Sequence, residues 1–404
     1  MVVLVLNCGS SSIKYQVLKM ETAEQYALLA KGAVERVGFT DGTIKHKPEG
    51  KTAYSAVTGI PDHTVGINLI LDALVHPEHG VLSNIKEINA VGHRVVHGGE
   101  FFVESALINA EVKSAIEKCI ELAPLHNPAN LRGILSMETL LPGVPQVAVF
   151  DTSFHQTMPK PAYLYALPYR YYEQYRIRRY GFHGTSHRYV AQKACKILGL
   201  DFNKTNIVTC HLGNGASITA IKQGKSVDTS MGFTPVDGLI MGTRSGTIDP
   251  GVLFYVAEKE QLNLNGLNNL INKESGVYGI SGQSSDMRDL EIAEEKGDEK
   301  ATLAREMFIY SVRKFIGSHV AAMGSVDLII FTGGVGENDD LVRAGVCANL
   351  QYVGAEFDAA ANKGLRGKDQ LISTPNSKVK LMTITTNEEL VIAVDTMNIV
   401  GKKG

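Results

Sequence analysis

The chain has 404 residues, enough for two domains with sizeable cores. With 44% hydrophobic and 20% charged residues it has the composition of a globular protein and not of a disordered one. Its 40 Lys and Arg against 42 Asp and Glu leave a net charge of −2, which gives no electrostatic basis for binding nucleic acid or an anionic membrane.

Strands and helices alternate along the chain. Val2–Leu6 is an apolar run suited to a buried strand, and Ile13–Leu18 follows it after a turn rich in Gly and Ser. Further strands are predicted at Gly32–Val37 and Thr52–Val57, then a helix over Asp62–Val75 with Leu69, Ile70 and Leu74 on one face. Ile88–Val91 reads as a buried strand running into His93–Gly99. Asn109 reads as the cap of a helix carrying Val112, Ile116 and Ile120, and Val147–Phe150 as a buried strand ending at Asp151. Three prolines make Met158–Tyr175 read as a long loop. In the second half, helices are predicted over Thr185–Leu198 (capped by Thr185 or Ser186), Asp298–Met323, Asp339–Leu350 and Asn387–Met397. Strands are predicted over Asn206–Cys210, Ala216–Ile221, Val326–Phe331 and Lys378–Ile384.

The five cysteines, Cys8, Cys119, Cys195, Cys210 and Cys347, are scattered and never spaced CxxC. Neither a disulfide framework nor a zinc site is expected, and a reducing, cytoplasmic setting fits. No basic residue precedes the first apolar run, and no apolar stretch approaches ~18 residues, so neither a signal peptide nor a membrane span is expected. Glycine, at 40 of 404 residues, exceeds the usual share and clusters in turns. VLVLNCGSSSIKYQV and IVTCHLGNGASITAI are each a buried strand, a glycine-containing turn and a second strand. AVGHRVVHGGE and IIFTGGVGEN match in the same order, which points to a duplicated α/β unit. Two such units would create a cleft suited to a ligand.

Three glycine-containing stretches carry the chemistry. Asn7-Cys8-Gly9-Ser10-Ser11-Ser12-Ile13-Lys14 offers amides, hydroxyls and a cation to phosphate, and reads equally as a serine-rich hairpin turn. His211-Leu212-Gly213-Asn214-Gly215 is an Asn-Gly hairpin signal, and its repeat relation to the first stretch adds a phosphate reading. Thr332-Gly333-Gly334-Val335-Gly336-Glu337-Asn338 stands between a strand and a helix, where amides and the helix dipole suit a nucleotide. Arg94 and Arg244 lie beside glycines and suit carboxylate or phosphate. The spacings His93–His97 and His183–His187 imitate metal ligands on a helix, but both stretches contain glycine and neither is HExxH, so zinc is not expected. Asp151, at a strand end, reads as a cap or a cation ligand, and Glu388 as a helix-dipole partner or a Mg²⁺ contact.

NCGSSSIKY, TCHLGNG, RRYGFHGTSHRYV, GLIMGTRSGTIDPG, SSDMRDL, FTGGVGEN and TNEELVIA, spanning residues 7 to 393, resemble the motifs of the acetate kinases in the family's order. The resemblance implies an α/β fold of two duplicated actin-like ATPase (ribonuclease H-like) domains with an interdomain active-site cleft. It implies an acyl- and phosphate-binding domain over 1–151 with a C-terminal helix of about 388–404, and a nucleotide-binding domain over 152–387. The implied reaction is reversible transfer of the ATP γ-phosphoryl group to acetate, giving ADP and acetyl phosphate, with Mg²⁺, for which Mn²⁺ can substitute. A homodimer is implied, with no nucleic-acid or membrane partner. The implied catalytic residues are Asp151, Arg94, His183 and Arg244, with Asn7 and Glu388 at the metal. Ser10, Ser12, Lys14, His211, Leu212, Gly213, Asn214, Gly215, Asp286, Met287, Arg288, Gly334, Val335, Gly336, Glu337 and Asn338 are implied nucleotide contacts. Val96, Leu125, Phe182 and Pro235 match the acyl pocket with Arg94, and Val96 favours acetate over propionate, because propionate-preferring relatives tend to carry a smaller residue there. A propionate or other short-chain carboxylate kinase is the alternative within the same chemistry. An actin-like ATPase acting as chaperone or filament protein is the alternative outside it.

Overall fold

The computed structural model describes residues 1–402, so residues 403 and 404, assigned above to the last helix, lie outside the described residues. The chain divides into two compact units, Met1–Ser153 with the stretch from Asn387 onward, and Phe154–Thr386.

The first unit is built on an eight-stranded sheet. Its strands are β1 (Val2–Cys8), β2 (Ser12–Met20), β3 (Tyr26–Glu35), β4 (Phe39–Pro48), β5 (Tyr54–Ile60), β6 (Ala90–Val95), β7 (Ala106–Leu107) and β8 (Gln146–Phe150), in the order β5-β4-β3-β2-β1-β6-β8-β7. β1 to β5 form an antiparallel meander, whereas β1, β6 and β8 run parallel. The parallel strands are covered on both faces, which is why β1, β6 and β8 read as short continuous apolar runs. On one face pack helices α1 (His63–Val75), whose cap Asp62 accepts from Val65 N at 2.9 Å, and α2 (Asn127–Leu140). Leu4, Leu6, Ile13, Tyr15, Ile67, Ile70, Leu74, Val91 and Met137 form that core. The opposite face carries the C-terminal helix Glu388–Gly401, capped by Asn387 and packed on β1, β2, β6 and β8.

The second unit has a six-stranded sheet of β9 (Asn206–Leu212), β10 (Ala216–Lys222), β11 (Lys225–Thr229), β12 (Leu328–Thr332), β13 (Gln370–Leu371) and β14 (Lys380–Thr383), in the order β11-β10-β9-β12-β14-β13. β9, β10 and β11 are antiparallel, β9, β12 and β14 are parallel, and β13 is an antiparallel edge strand. This order and these directions repeat β3-β2-β1-β6-β8-β7 strand for strand. The chain therefore holds the actin-like, ribonuclease H-like α/β unit twice. Helix Gly184–Leu198 buries Val190, Ala191, Ala194 and Cys195 against Ile207, Ile221, Leu328 and Ile330. The 25-residue helix Glu299–Met323, capped by Asp298, runs along β9, β10 and β11. All five cysteines are buried free thiols.

Several expectations need correction. Met158–Tyr175 is not one loop but carries short helices at Lys160–Tyr163 and Arg170–Tyr175, since Pro161 stands in the first turn, where a missing N–H costs nothing. Thr185 and Ser186 do not cap their helix. They lie inside its first turn, and His183 occupies the cap position without a side-chain cap bond. Gly333–Asn338 is itself a short helix and not a loop. The helix after Asn109 ends at Lys118, before Ile120, and β4, β11 and α2 were not anticipated.

One glycine fixes how closely the C-terminal helix approaches. A Cβ on Gly92 of β6 would stand 2.5 Å from Thr396 Oγ1 and 2.6 Å from Ile392 Cγ2. Gly92→Ala should therefore cost about 1–3 kcal/mol through overpacking. A lowered urea midpoint for the first unit checks this, and an unchanged midpoint would show that the helix yields.

Candidate active site

In the first unit the polar residues gather where β1, β6 and β8 end. β8 pairs Phe150 with Val95 of β6, and the next residue, Asp151, donates its N–H to the Val95 carbonyl at 3.0 Å. Arg94 closes on Asp151 through Nη2 at 2.5 Å and through Nε at 3.0 and 3.2 Å. The Asp151 side chain is 2% exposed and that of Arg94 24%. Desolvation would depress the Arg94 pKa, but Asp151 and then Glu388 outweigh it and hold the guanidinium above its ordinary value. Glu388 lies in the first turn of the C-terminal helix. Burial pushes its carboxyl up to about 7, and Arg94 offsets only part of that.

Asn7, near the end of β1, pairs in register with Lys14 of β2. Between them Gly9 N donates to the Ser12 carbonyl at 2.7 Å, which leaves Ser10 exposed at the turn. His63 of α1 donates Nε2 to the Gly9 carbonyl at 2.7 Å and fixes the turn from beneath. Val96 is 7% exposed, and its N–H is held by Asn130 Oδ1 at 3.1 Å, whereas Leu125 is 69% exposed.

In the second unit His183, Arg244 and the His211–Gly215 hairpin converge on Gly215. A Cβ there would lie 3.4 Å from Arg244 Nη1 and 3.6 Å from His183 Nε2, so glycine leaves the space beside both donors open. His183 is in the left-handed region (φ 56°), a sparsely used conformation for a side chain of its size. Behind it, Ser217 Oγ meets His183 Nδ1 at 2.9 Å and His187 Nε2 at 2.7 Å, and Thr209 Oγ1 meets His187 Nδ1 at 2.6 Å. Two donor directions satisfy this chain. The one that begins with the Thr209 hydroxyl places the His183 proton on Nε2, the nitrogen beside Gly215. Burial, and then the neighbouring His155, His211 and His319, hold the His187 pKa well below its ordinary value, so that ring is neutral. His211 stacks on His183 with centroids 4.3 Å apart and bonds Ser186 Oγ at 2.8 Å through Nδ1.

Arg244 differs from Arg94. Among the described residues its side chain bonds only the Pro235 carbonyl at 3.4 Å and Met241 Sδ at 3.8 Å, and burial lowers its pKa. Its loop is fastened by Gly242 N to the Asn214 carbonyl at 2.9 Å and by Tyr278 N to the Gly242 carbonyl at 3.0 Å. Beside this loop lies a cavity of about 650 Å³. Its apolar wall comes from Met241, Val277, Met287, Phe308 and Val335, and its polar rim from Asn214, Asp286, Arg288 and Asn338. That size and that division suit an organic ligand with a polar end.

Residues 2–394 match the model of the Acetokinase family. The chain belongs to that family. It is 56% identical over 403 residues to an acetate kinase of Carboxydothermus hydrogenoformans, with full coverage of both chains. The crystal structure of the acetate kinase of Porphyromonas gingivalis superposes with a TM-score of 0.96 at 52% identity, covering 99% of each chain. A propionate kinase from Francisella tularensis follows at 0.90 and 42%, covering 98% of this chain and 99% of its own.

Of the family residues expected at the nucleotide, Gly213, Asn214, Asp286, Met287, Arg288, Gly334, Val335 and Asn338 line the one cavity. Ser10, Ser12, Lys14, His211, Leu212, Gly215, Gly336 and Glu337 are not among its lining. Leu212 is fully buried, so it offers a ligand only backbone. Glu337 turns its Oε1 back to Gly333 N at 3.0 Å, Thr332 Oγ1 at 3.2 Å and Thr386 N at 2.9 Å. Phe182 is buried, with its carbonyl held by His155 Nε2 at 2.9 Å. The sequence reading missed the supports, namely His63, Asn130, Ser217, Arg305 and Arg343. Arg343 is fully buried and donates to the Gly336 and Leu365 carbonyls and to Asn362 at 2.7–2.9 Å.

The buried histidines set an acid limit. Burial depresses His93 and His155 to about 4, from an ordinary value near 6.5. The unfolded chain takes up protons below ~6.5 that the folded chain refuses, so their contribution is complete above that pH and lost as pH falls toward ~4, up to about 3 kcal/mol for each. Thermal unfolding between pH 7 and 4 should show a falling Tm that steepens below pH 6.5. A flat profile would mean these rings ionise in place.

Proposed function

We infer that the chain transfers the terminal phosphoryl group of ATP to acetate, reversibly, giving ADP and acetyl phosphate. The observation that carries this beyond family membership is Arg244, a partly buried guanidinium with only neutral acceptors, set beside His183 and next to a nucleotide-sized cavity. Such a cation is completed by an anion. The adenosine end of ATP takes the cavity, and the phosphates reach Gly213–Gly215 and the Gly334 amide; Ser10, Ser12 and Lys14 are assigned to phosphate as well. The nucleophile is a carboxylate with a pKa of ~4–5 by analogy with side-chain acids, so it is ionised at neutral pH and needs no general base. Its oxygen attacks the γ-phosphorus in line as the bond to the ADP oxygen breaks. Arg94 receives the carboxylate, and Arg244 and His183 Nε2–H stabilise charge spread over the transferring group. Val96, Leu125, Phe182 and Pro235 are assigned to the acyl methyl, and Val96, which is buried, favours acetate over propionate.

Asn7 and Glu388 would hold Mg²⁺ (or Mn²⁺). They offer hard oxygen donors, and Glu388 is an under-compensated carboxyl. Among the described residues no cluster of three His, Cys, Asp or Glu forms a complete cage, as suits an ion that keeps waters and phosphate oxygens. Bound there, the ion would offset phosphate charge. Asp151 acts by fixing Arg94 rather than by moving a proton, since both of its oxygens are spent on the guanidinium. Five buried thiols fit a reducing cytoplasm.

A hydroxylamine trap tests the reaction. Hydroxamate should form only with both ATP and acetate present, and less with propionate. ATP hydrolysis indifferent to acetate would instead favour an actin-like chaperone or filament ATPase. In the same assay Asp151→Asn should lower kcat by about 10²-fold at every pH from 6 to 9, because Arg94 loses its anchor. Recovery at raised pH would restore a proton-transfer role.

A homodimer is part of the same reading. Leu303, Met307 and Tyr310 make an exposed apolar stripe at helical spacing on Glu299–Met323, beside a second cavity of about 1080 Å³. Sedimentation equilibrium should give twice the 43.7 kDa chain mass, and a monomer at micromolar concentration would remove this reading.

A further inference from the structure

The nucleotide cavity is walled by segments far apart in sequence, and one side chain that does not line it joins them. Arg305, in the second turn of Glu299–Met323, is 2% exposed. Its Nη1 donates to the Met287 carbonyl at 3.0 Å and to Asp339 Oδ2 at 3.1 Å, and its Nε pairs with Glu294 Oε2 at 2.7 Å. Met287 and Glu294 stand near the two ends of helix Met287–Glu295, which carries Asp286, Arg288 and Glu291 to the cavity rim. Asp339 ends the Gly333–Asn338 turn, its N–H bonding to Val335 O at 2.9 Å, and caps the next helix through Val342 N at 2.8 Å. Phe308, one turn beyond Arg305 on the same helix, supplies the cavity floor.

We propose that Arg305 is a positioning residue for the nucleotide, holding helix Met287–Glu295 and the Gly333–Asn338 turn at the separation the adenosine end requires. This rests on the nucleotide reading of the cavity above. A planar fork reaching three oxygens fixes distance and direction together, which a lysine ammonium on a flexible stem does not. Each partner also has a second duty, as a helix end or a helix cap, so a shift at Arg305 moves both walls and not one side chain. Its polar partners among the described residues, Met287, Glu294 and Asp339, are neither acyl-site nor transferring-group residues, so its effect should fall on the nucleotide.

The test is Arg305→Lys in the full-length enzyme, assayed in both directions. The charge that compensates Asp339 and Glu294 stays, and the fork is lost. The KM for ATP and the KM for ADP should each rise about tenfold, while kcat and the KM for acetate and for acetyl phosphate change less than about threefold. A merely structural role would lower Tm and the active fraction, and so apparent kcat, with all four KM values unchanged, and that result overturns the proposal. If Arg305→Lys does not fold, Glu294→Gln takes its place, since it loosens one anchor at a half-exposed position. It should raise both nucleotide KM values about two- to threefold, and nucleotide KM values like those of the wild type overturn the proposal. Wild-type enzyme that forms no hydroxamate from ATP and acetate would refute the nucleotide reading itself, whereas active wild type with an indifferent variant refutes only the role of Arg305.

Discussion

A guanidinium taken out of water must be given acceptors, and the way four of the arginines meet that requirement sorts the parts of this molecule. Arg343 is surrounded by three neutral oxygens and ties the Gly336 turn to the segment that follows it. Arg305 has two carboxylates and a carbonyl and joins two walls of the cavity. Arg94 has one carboxylate, gripped through three contacts, and keeps a quarter of its side chain exposed. Arg244 has a distant carbonyl and a thioether. The series runs from several well-placed acceptors to almost none, and Arg94 and Arg244, the two proposed to meet substrate anions, stand at its sparser end. A buried cation that is costly alone becomes favourable when an anion arrives, which is how a site binds a charged group strongly without being stable around its absence.

Duplication explains where these side chains stand. In each unit the parallel strands end at the same edge, and the chemistry collects there: Asn7 at the end of β1, Arg94 on β6, Asp151 after β8, His211 on β9 and Gly333 after β12. Strand ends in a parallel sheet place backbone amides and short turns toward one side while the helices cover the faces. The two copies have diverged in what they carry. The first presents carboxylates and cations, Asp151, Glu388, Arg94 and Lys14. The second presents glycine turns, a histidine chain and an apolar cavity. A phosphoryl donor with a large neutral end and an acceptor with a small charged end need just such unlike sites.

Much of the frame was legible because its signals are local. α1 announces itself by Asp62 as cap and an apolar face at helical spacing, and the Glu299–Met323 helix by Asp298. Both hairpins show glycine between apolar runs, and the repeat of those hairpins anticipated two sheets of one topology. α2 escaped because it buries polar atoms: Asn127 bonds backbone at His97 and Ile116, and Asn130 bonds Val96 N and Cys8 O, so its inward face reads as an outward one. The Gly333–Asn338 turn read as a loop because glycine argues against helix locally, while Glu337 caps it from within. In the site, the glycine turns and candidate arginines were visible as residue types. Their pairings were not. Arg94 meets Asp151 across 57 positions and Arg305 meets Asp339 across 34, and in one sequence a buried arginine on a helix is indistinguishable from a surface charge.

That last ambiguity bears on why a cavity proposed to take adenine is braced by charge at all. Apolar side chains of similar volume would fill the space under Asp339 and Met287, and replacing a buried ion cluster with well-packed hydrophobic groups is often neutral or stabilising. A buried ion cluster is therefore a weak reason in itself for stability at Arg305. Apolar contacts tolerate sliding, because dispersion changes little with small lateral shifts and side chains repack. Hydrogen bonds from a rigid planar fork fail within a few tenths of an ångström or some tens of degrees. On the proposed nucleotide reading, the cavity must keep its walls in register so that the triphosphate of a bound nucleotide reaches Arg244. Geometry of that kind is worth more to phosphoryl transfer than added stability, since positioning and charge compensation are nearly all the catalysis the reaction asks of a protein.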